Sequence, residues 1–295
     1  MTYTVVFRYE RSVKACITNL INIYYKGGQM SATLVGDLTG EEVVWRYITL
    51  DRLLNLLDDK ALFMATLGTY NASDPYEGYP PPGVLKVIKD KCPPSMYCSS
   101  DDNGSEDLSN FRVFAKRLFQ ARVVSCWYQG DDESEAMWKL YGDTGKAVAI
   151  RTTVGKLADA LGADFDGKIA RVRYISYTHA TQNEYDAVMS AYDQKAFLDP
   201  IYKRSSYAHE REVRAYMQIK GAKLDDIETF KAHTAPIDCA SLIDGIVVSP
   251  FCSASYVRAV KVVARQFGFE ERVRQSTLLS DLEPIYSRIE SSNMG

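Results

Sequence analysis

The amino-acid sequence predicts an α+β fold in which mixed or antiparallel strands carry peripheral helices. Three observations lead there. Short segments rich in β-branched and aromatic residues recur along the chain and concentrate in its second half. Helical periodicity appears between some of them, without the regular strand–helix alternation of a doubly wound parallel sheet. Finally, no G-x-G-x-x-G follows a strand and no G-x-x-x-x-G-K-[ST] occurs, so the chain carries neither a Rossmann fingerprint nor a P-loop.

In chain order, residues 1–40 read as a lead-in, 41–285 as one α+β domain and 286–295 as a tail. Arg8, Glu10, Arg11 and Lys14 interrupt any apolar run near the start, unlike a secretory signal. The run KGGQM, Lys26 to Met30, is what a purine-rich ribosome-binding site before a start codon would encode. Two readings of the first 29 residues stand open: a short strand and a helix, or a non-native segment with Met30 as the real start. Val43 to Ile48 reads as a strand and Thr49 as the N-cap of a helix. Leu50, Leu53, Leu54 and Leu57 fall on one face of that helix. Leu62 to Thr66 is a second strand. The Pro/Gly-rich stretch Asn71 to Gly83 predicts irregular turns. Cys92 to Asn110 is an acidic, serine-rich loop. Phe111 to Gln120 and Glu133 to Tyr141 read as helices flanking a strand at Val123 to Trp127. Further strands are expected at Lys146 to Thr152, Ala170 to Tyr177, Glu212 to Ile219 and Ile243 to Pro250. Helices are expected at Val154 to Leu161, Gln182 to Phe197 and Ala254 to Phe267.

Bulk properties narrow the function classes. The 295 residues, 46% of them apolar, suffice for a sizeable core. A net charge of −3 provides no global field toward nucleic acid or anionic membrane. No run approaches the roughly 18 apolar residues of a membrane helix, so no membrane partner is expected. The six cysteines form no C-x-x-C pair, and His179, His209 and His233 are far apart in sequence. No metal site is expected, and reduced thiols in a cytoplasmic setting fit best.

Four constellations can carry chemistry. In WRY, Trp45 to Tyr47, a planar arginine between aromatics suits a phosphate grip by Arg46 with Tyr47 beside it; a strand-edge arginine lying over aromatics explains the same letters. In DPYEG, Asp74 before proline starts a turn, while Asp74 or Glu77 can also serve as a polar loop contact. Trp127, Tyr128, Trp138 and Tyr141 can form an aromatic wall on which nicotinamide or adenine stacks, or can simply be core. Cys126 beside them has no histidine near it in sequence to activate it. Glu210 and Glu212, at the mouth of a strand, are expected to share one face, with Arg211 and Val213 opposite. Lys203, Arg204 and Arg214 are then candidate partners in a structural salt-bridge cluster. The alternative is a carboxylate pair that stabilises an oxocarbenium-like centre.

DPYEG, then SCW with AMWKLYG and AVAI, then KRSSYAHEREVRA, and finally IVVSP with RQSTLLSD resemble, in that order, a bacterial and phage family designated domain of unknown function 2971. The likeness spans roughly Val43 to Asp281 and brings no assigned activity with it. A more distant resemblance is to ADP-ribosyltransferases of the arginine–serine–glutamate type, carried by Arg46, Ser125 and Glu210-Arg211-Glu212 in order. That resemblance implies split sheets enclosing NAD as substrate, with Arg46 on its phosphates and Ser125 bracing the site. It further implies Glu212 at the oxocarbenium ion and Glu210 orienting a macromolecular acceptor, protein or nucleic acid. A toxin or phage-defence effector with a cognate antitoxin would fit it. The middle block here is Ser125-Cys126-Trp127 rather than Ser-Thr-Ser. Two alternatives stand beside this enzyme: a non-catalytic module that binds a nucleotide or protein, and a metal-dependent nuclease built on Asp74, Glu77, Glu210 and Glu212. The acid–acid–lysine pattern of such nucleases is not apparent.

Overall fold

The computed structural model describes residues 32–70, 73–91, 110–112, 115–116, 122–142, 145–178, 199–218, 232–280 and 286. Within them runs β1 (Thr33–Val35), β2 (Val43–Thr49), α1 (Leu50–Asp59), β3 (Ala61–Thr66), α2 (Pro82–Lys91), β4 (Arg122–Gln129) and α3 (Glu135–Tyr141). There follow β5 (Ala147–Thr153), α4 (Val154–Leu161), β6 (Lys168–Arg171), β7 (Arg173–Ile175), β8 (Tyr202–Arg204) and β9 (Glu212–Gln218). The last are β10 (Ala232–Pro236), α5 (Cys239–Leu242), β11 (Gly245–Val248), α6 (Ala254–Gln266) and β12 (Val273–Gln275). The fold is α+β, with a mixed sheet that is mainly antiparallel.

Among the described residues ten strands form one sheet in the order β1-β6-β9-β4-β2-β5-β11-β12, with β3 also on β4 and β10 on β3. Only the β1/β6 and β11/β12 pairs in it are parallel among the described residues. The sheet forks at β4. One edge of β4 pairs with β9 along its length, from Arg122 opposite Gln218 to Tyr128 opposite Glu212. The other edge pairs with β3 at Val123 and Val124 and with β2 at Tyr128 and Gln129. Ser125, Cys126 and Trp127 have no partner on that second edge, because β2 departs with β5 and β3 with β10. Among the described residues the strands form one forked sheet and a separate β7/β8 pair.

The alternation of strand β2 sorts its residues between two cores. Val44 and Ile48 join the larger core with Leu53, Leu57, Val148, Ile150 and Trp127. Trp45 and Tyr47 join a smaller core on the other face with Met137, Trp138, Ala147, Ala149 and Val247. Helix α3 is fixed over that smaller core by its cap. The Ser134 hydroxyl accepts from the Met137 N–H, and the Ser134 N–H donates to the Tyr47 hydroxyl at 2.7 Å. Thr153 and Ser253 cap α4 and α6 in the same way.

Several expectations are corrected. Thr49 occupies the N-cap position of α1 but makes no side-chain cap bond. The buried face of α1 is Leu53, Leu56 and Leu57, and Leu54 is 40% exposed, so Leu56 rather than Leu54 completes the apolar stripe. The strand expected at Ala170 to Tyr177 breaks at Val172: Lys168–Arg171 stays on β9, and Arg173–Ile175 pairs with β8 in the second sheet. Regular structure enters the expected irregular stretch at Pro82, the first residue of α2, where a missing N–H costs nothing. The expected helix at Gln182 to Phe197, nearly all of the acidic loop, much of Phe111 to Gln120 and the segment before Met30 lie outside the described residues.

Arg211 joins the 3-10 turn Ser205–Glu210 to β9 and has a left-handed backbone, φ 41° and ψ 50°. A side chain there costs roughly 1 kcal/mol, more if β-branched. Arg211→Val is expected to lose about 1–2 kcal/mol in urea unfolding, whereas Arg211→Gly stays within about 1 kcal/mol of wild type.

Candidate functional site

A pocket of about 400 Å³ opens at the fork. Its lining takes Trp45, Arg46, Tyr47 and Ile48 from successive positions of β2, hence from both strand faces, as an opening beside a strand edge requires. Trp127 and Tyr128 enter from β4, Glu212 and Arg214 from β9, Lys203 from β8, and Asp74 and Glu77 from the DPYEG turn.

Charge defines one end. Lys203 Nζ contacts Glu210, Glu212 Oε1 at 2.6 Å and Glu77 Oε2 at 3.4 Å. Arg214 reaches Glu212 Oε2 through Nε at 2.7 Å and Glu77 Oε1 through Nη2 at 2.7 Å, while Nη1 donates to the Pro200 carbonyl at 2.8 Å. All five side chains are buried, with Arg214 only 1% exposed and Lys203 6%. Three carboxylates therefore face two cations, one positive charge short.

Burial and the hydrogen bond and charge of the adjacent Glu212 push Glu210 up to about 7, against the pull of Lys203. Burial opposes the charge of Glu212 too, but Arg214, the hydrogen bond from Glu210 and Lys203 outweigh it and hold Glu212 well below the ordinary carboxylate range. Of the three carboxylates, Glu210 is therefore the one that takes up a proton most readily. Burial disfavours the ammonium of Lys203, yet Glu212, Glu77 and Glu210 more than compensate and raise its pKa. Burial, reinforced by Glu212, pushes the Cys126 thiol up, so Cys126 stays protonated and is a poor nucleophile.

The other end is basic. Arg46 spans the fork, its Nη2 donating to the Phe63 carbonyl of β3 at 2.9 Å and its guanidinium 5.7 Å from the Trp127 ring centroid. Its Nη1 is buried without a hydrogen-bond partner. Arg52 from the first turn of α1 lines the pocket as well, close enough to disfavour the Arg46 charge further.

Of the residues expected at a site, Arg46, Tyr47, Trp127, Tyr128, Glu210 and Glu212 line this pocket. Ser125 and Trp138 stand behind it. The Ser125 hydroxyl accepts from Trp127 Nε1 at 3.1 Å, and Trp138 packs edge-on against Tyr47 at 4.7 Å while donating from Nε1 to Glu133 at 2.7 Å. Glu210 and Glu212 do not sit on one strand face. Glu210 ends a 3-10 turn, and the left-handed Arg211 brings its carboxyl back beside Glu212. Lys203 and Arg214 are partners of the carboxylates, whereas Arg204 pairs with Asp74 at 2.6 Å. Glu77, in a motif dominated by turn chemistry, joins the cluster from far away in sequence, and Arg52 and Tyr70 join the pocket with no prior signal. Among the described residues no group of three or more His, Cys, Asp or Glu can hold a metal ion; Lys203 and Arg214 engage Glu77, Glu210 and Glu212 instead. Nor is any helix among them long and apolar enough to cross a membrane.

Over residues 137–215, from α3 through the first half of β9, the chain is similar to the family described as Protein of unknown function (DUF2971). That stretch contributes Lys203, Glu210, Glu212 and Arg214 to the pocket. No curated protein matches the chain.

Removing one cation leaves buried charge uncompensated, so Lys203→Met is expected to cost about 3–5 kcal/mol in urea unfolding. Glu210 ionises near about 4.3 in an unfolded chain and near about 7 in the folded one. Its contribution to stability is full below the unfolded value and disappears as pH rises through about 7. Between those values the wild type should lose stability relative to Glu210→Gln as pH rises, measured by urea unfolding at pH 5, 6, 7 and 8.

Proposed function

We propose that the pocket takes NAD as substrate and that the protein transfers ADP-ribose from it to a macromolecular acceptor, protein or nucleic acid, or to water. The observation that carries this reading is convergence. Arg46 of β2, Trp127 and Tyr128 of β4, and Glu210 and Glu212 at the start of β9 line one opening at the fork of the sheet.

The residues fit such a substrate end to end. Arg46 and Arg52 provide cationic donors for the pyrophosphate, and Arg46 Nη1 has a hydrogen bond to give. Tyr128 and Tyr141, a half-buried and an exposed aromatic of that lining, offer faces for planar rings, whereas Trp127 is packed into the core behind them. The acidic end carries one more carboxylate than cation, which suits the positive charge that develops on the ribose as nicotinamide departs with the bonding electron pair. Glu212 supplies that charge, held ionised by Lys203 and Arg214. Glu210, near neutrality in its titration, accepts the proton of the acceptor nucleophile. Ser125 orients the Trp127 ring, and Trp138 braces Tyr47. A cytoplasmic toxin or phage-defence effector, held in check by a cognate antitoxin, is the setting that the resemblance to transferases and to the phage family suggests.

One observation favours a second reading, a non-catalytic nucleotide- or protein-binding module. Both oxygens of Glu212 are already ion-paired, as in a structural cluster. The two readings part in one assay, nicotinamide release from NAD with candidate proteins and nucleic acids added. Transfer predicts release that falls at least about 100-fold in Glu212→Gln and shows a raised KM in Arg46→Gln, with both variants folded by circular dichroism. Release unchanged in Glu212→Gln would reject the role of Glu212, and binding of NAD without release by the wild type would favour the module.

A further inference from the structure

Asp74 has more bonding capacity than its local structure uses. It is 2% exposed and lines the pocket beside Glu77. Its Oδ1 accepts from the Tyr76 N–H at 3.1 Å, which closes the DPYEG turn, and from Arg204 Nη2 at 2.6 Å. Arg204 lies against the rings of Tyr76 and Tyr207, at 4.9 and 5.3 Å from their centroids. Tyr207 in turn donates to the Ser73 carbonyl at 3.1 Å. That arrangement fixes the carboxylate, and one oxygen satisfies all of it. The other, Oδ2, is buried with no hydrogen-bond partner. A buried carboxylate oxygen without a donor is costly, and on a residue that lines a pocket it marks a place for a ligand donor.

We propose that Asp74 is a ligand-recognition residue of this pocket, its Oδ2 accepting a hydrogen bond from an N–H or O–H of the substrate. Its neighbour Glu77 bridges Lys203 and Arg214, so the donor lies at the acidic end. Resting on the NAD reading above, that end receives the nicotinamide riboside half, whose ribose hydroxyls and carboxamide are donors. A pinned carboxylate also rejects an anion at the same place, which gives the pocket polarity: phosphate toward Arg46 and Arg52, donors toward Asp74.

Asp74→Asn separates the two oxygens. The amide oxygen can keep the turn and the Arg204 bond at the Oδ1 position, and the NH2 then replaces the free acceptor by a donor. Calorimetric titration is carried out with NAD, with nicotinamide mononucleotide and with ADP. The expected result is a Kd for NAD and for the mononucleotide at least about 10-fold weaker in Asp74→Asn, as loss of a hydrogen bond to a charged group implies. ADP affinity and melting temperature should stay within about 2-fold and about 3 °C of wild type. NAD affinity unchanged in the variant overturns the assignment alone. Equal weakening for ADP and the mononucleotide also overturns it, since that reports a general disturbance. A wild type that binds no NAD overturns the NAD reading and this assignment with it.

Discussion

Lys203 and Arg214, both almost fully buried, hold Glu77, Glu210 and Glu212 in a space where water cannot screen them. Ions removed from water cost several kcal/mol each unless geometry and hydrogen bonds compensate. Every oxygen and nitrogen in the cluster is therefore under constraint, and the chain around it is arranged accordingly. Arg211 accepts a left-handed backbone so that Glu210 returns beside Glu212. The short β7/β8 sheet places Lys203 between them, and the Pro200 carbonyl takes the remaining Arg214 donor. A cluster of this kind is poor value as stabilisation, since apolar residues would fill the space as well or better. Its place on the lining of a pocket, with three carboxylates against two cations, is an argument for use.

The fork gives the cluster its access. A continuous sheet would have covered Ser125 to Trp127 with a neighbouring strand; divergence of β2 and β3 leaves that edge open. Arg46 crosses the gap to the Phe63 carbonyl and so ties the two arms together while keeping one donor nitrogen free. The lining combines a carboxylate cluster, the Arg46 guanidinium and aromatic rings in one opening. That combination orients a ligand more strongly than it attracts one.

Much of the architecture was legible locally. The strand at Val43, the helix after Thr49, the helix at Val154 and the helix after Ser253 all follow from alternation, 3.6-residue periodicity and caps, which act within one or two turns of chain. The short strands at Thr33, Tyr202, Ala232 and Val273 were not legible, because three to five residues carry too little periodicity and are strands only by virtue of their partners. The break at Val172 was hidden for the same reason: both halves have strand-like composition, and only the competing pairing with Tyr202–Arg204 separates them.

Local sequence carries the α+β class, most of the long elements, and the residue types able to grip phosphate, stack on a ring or stabilise a cation. Those are properties of side chains and of short-range periodicity. Tertiary structure alone decided which of them meet. It brought Glu77 from the DPYEG turn to Lys203 and Arg214, moved Arg204 from the carboxylate pair to Asp74, and set Ser125 and Trp138 behind the pocket wall. Ion pairing and burial depend on distance in space, and chain separation places no limit on that distance once a sheet has formed.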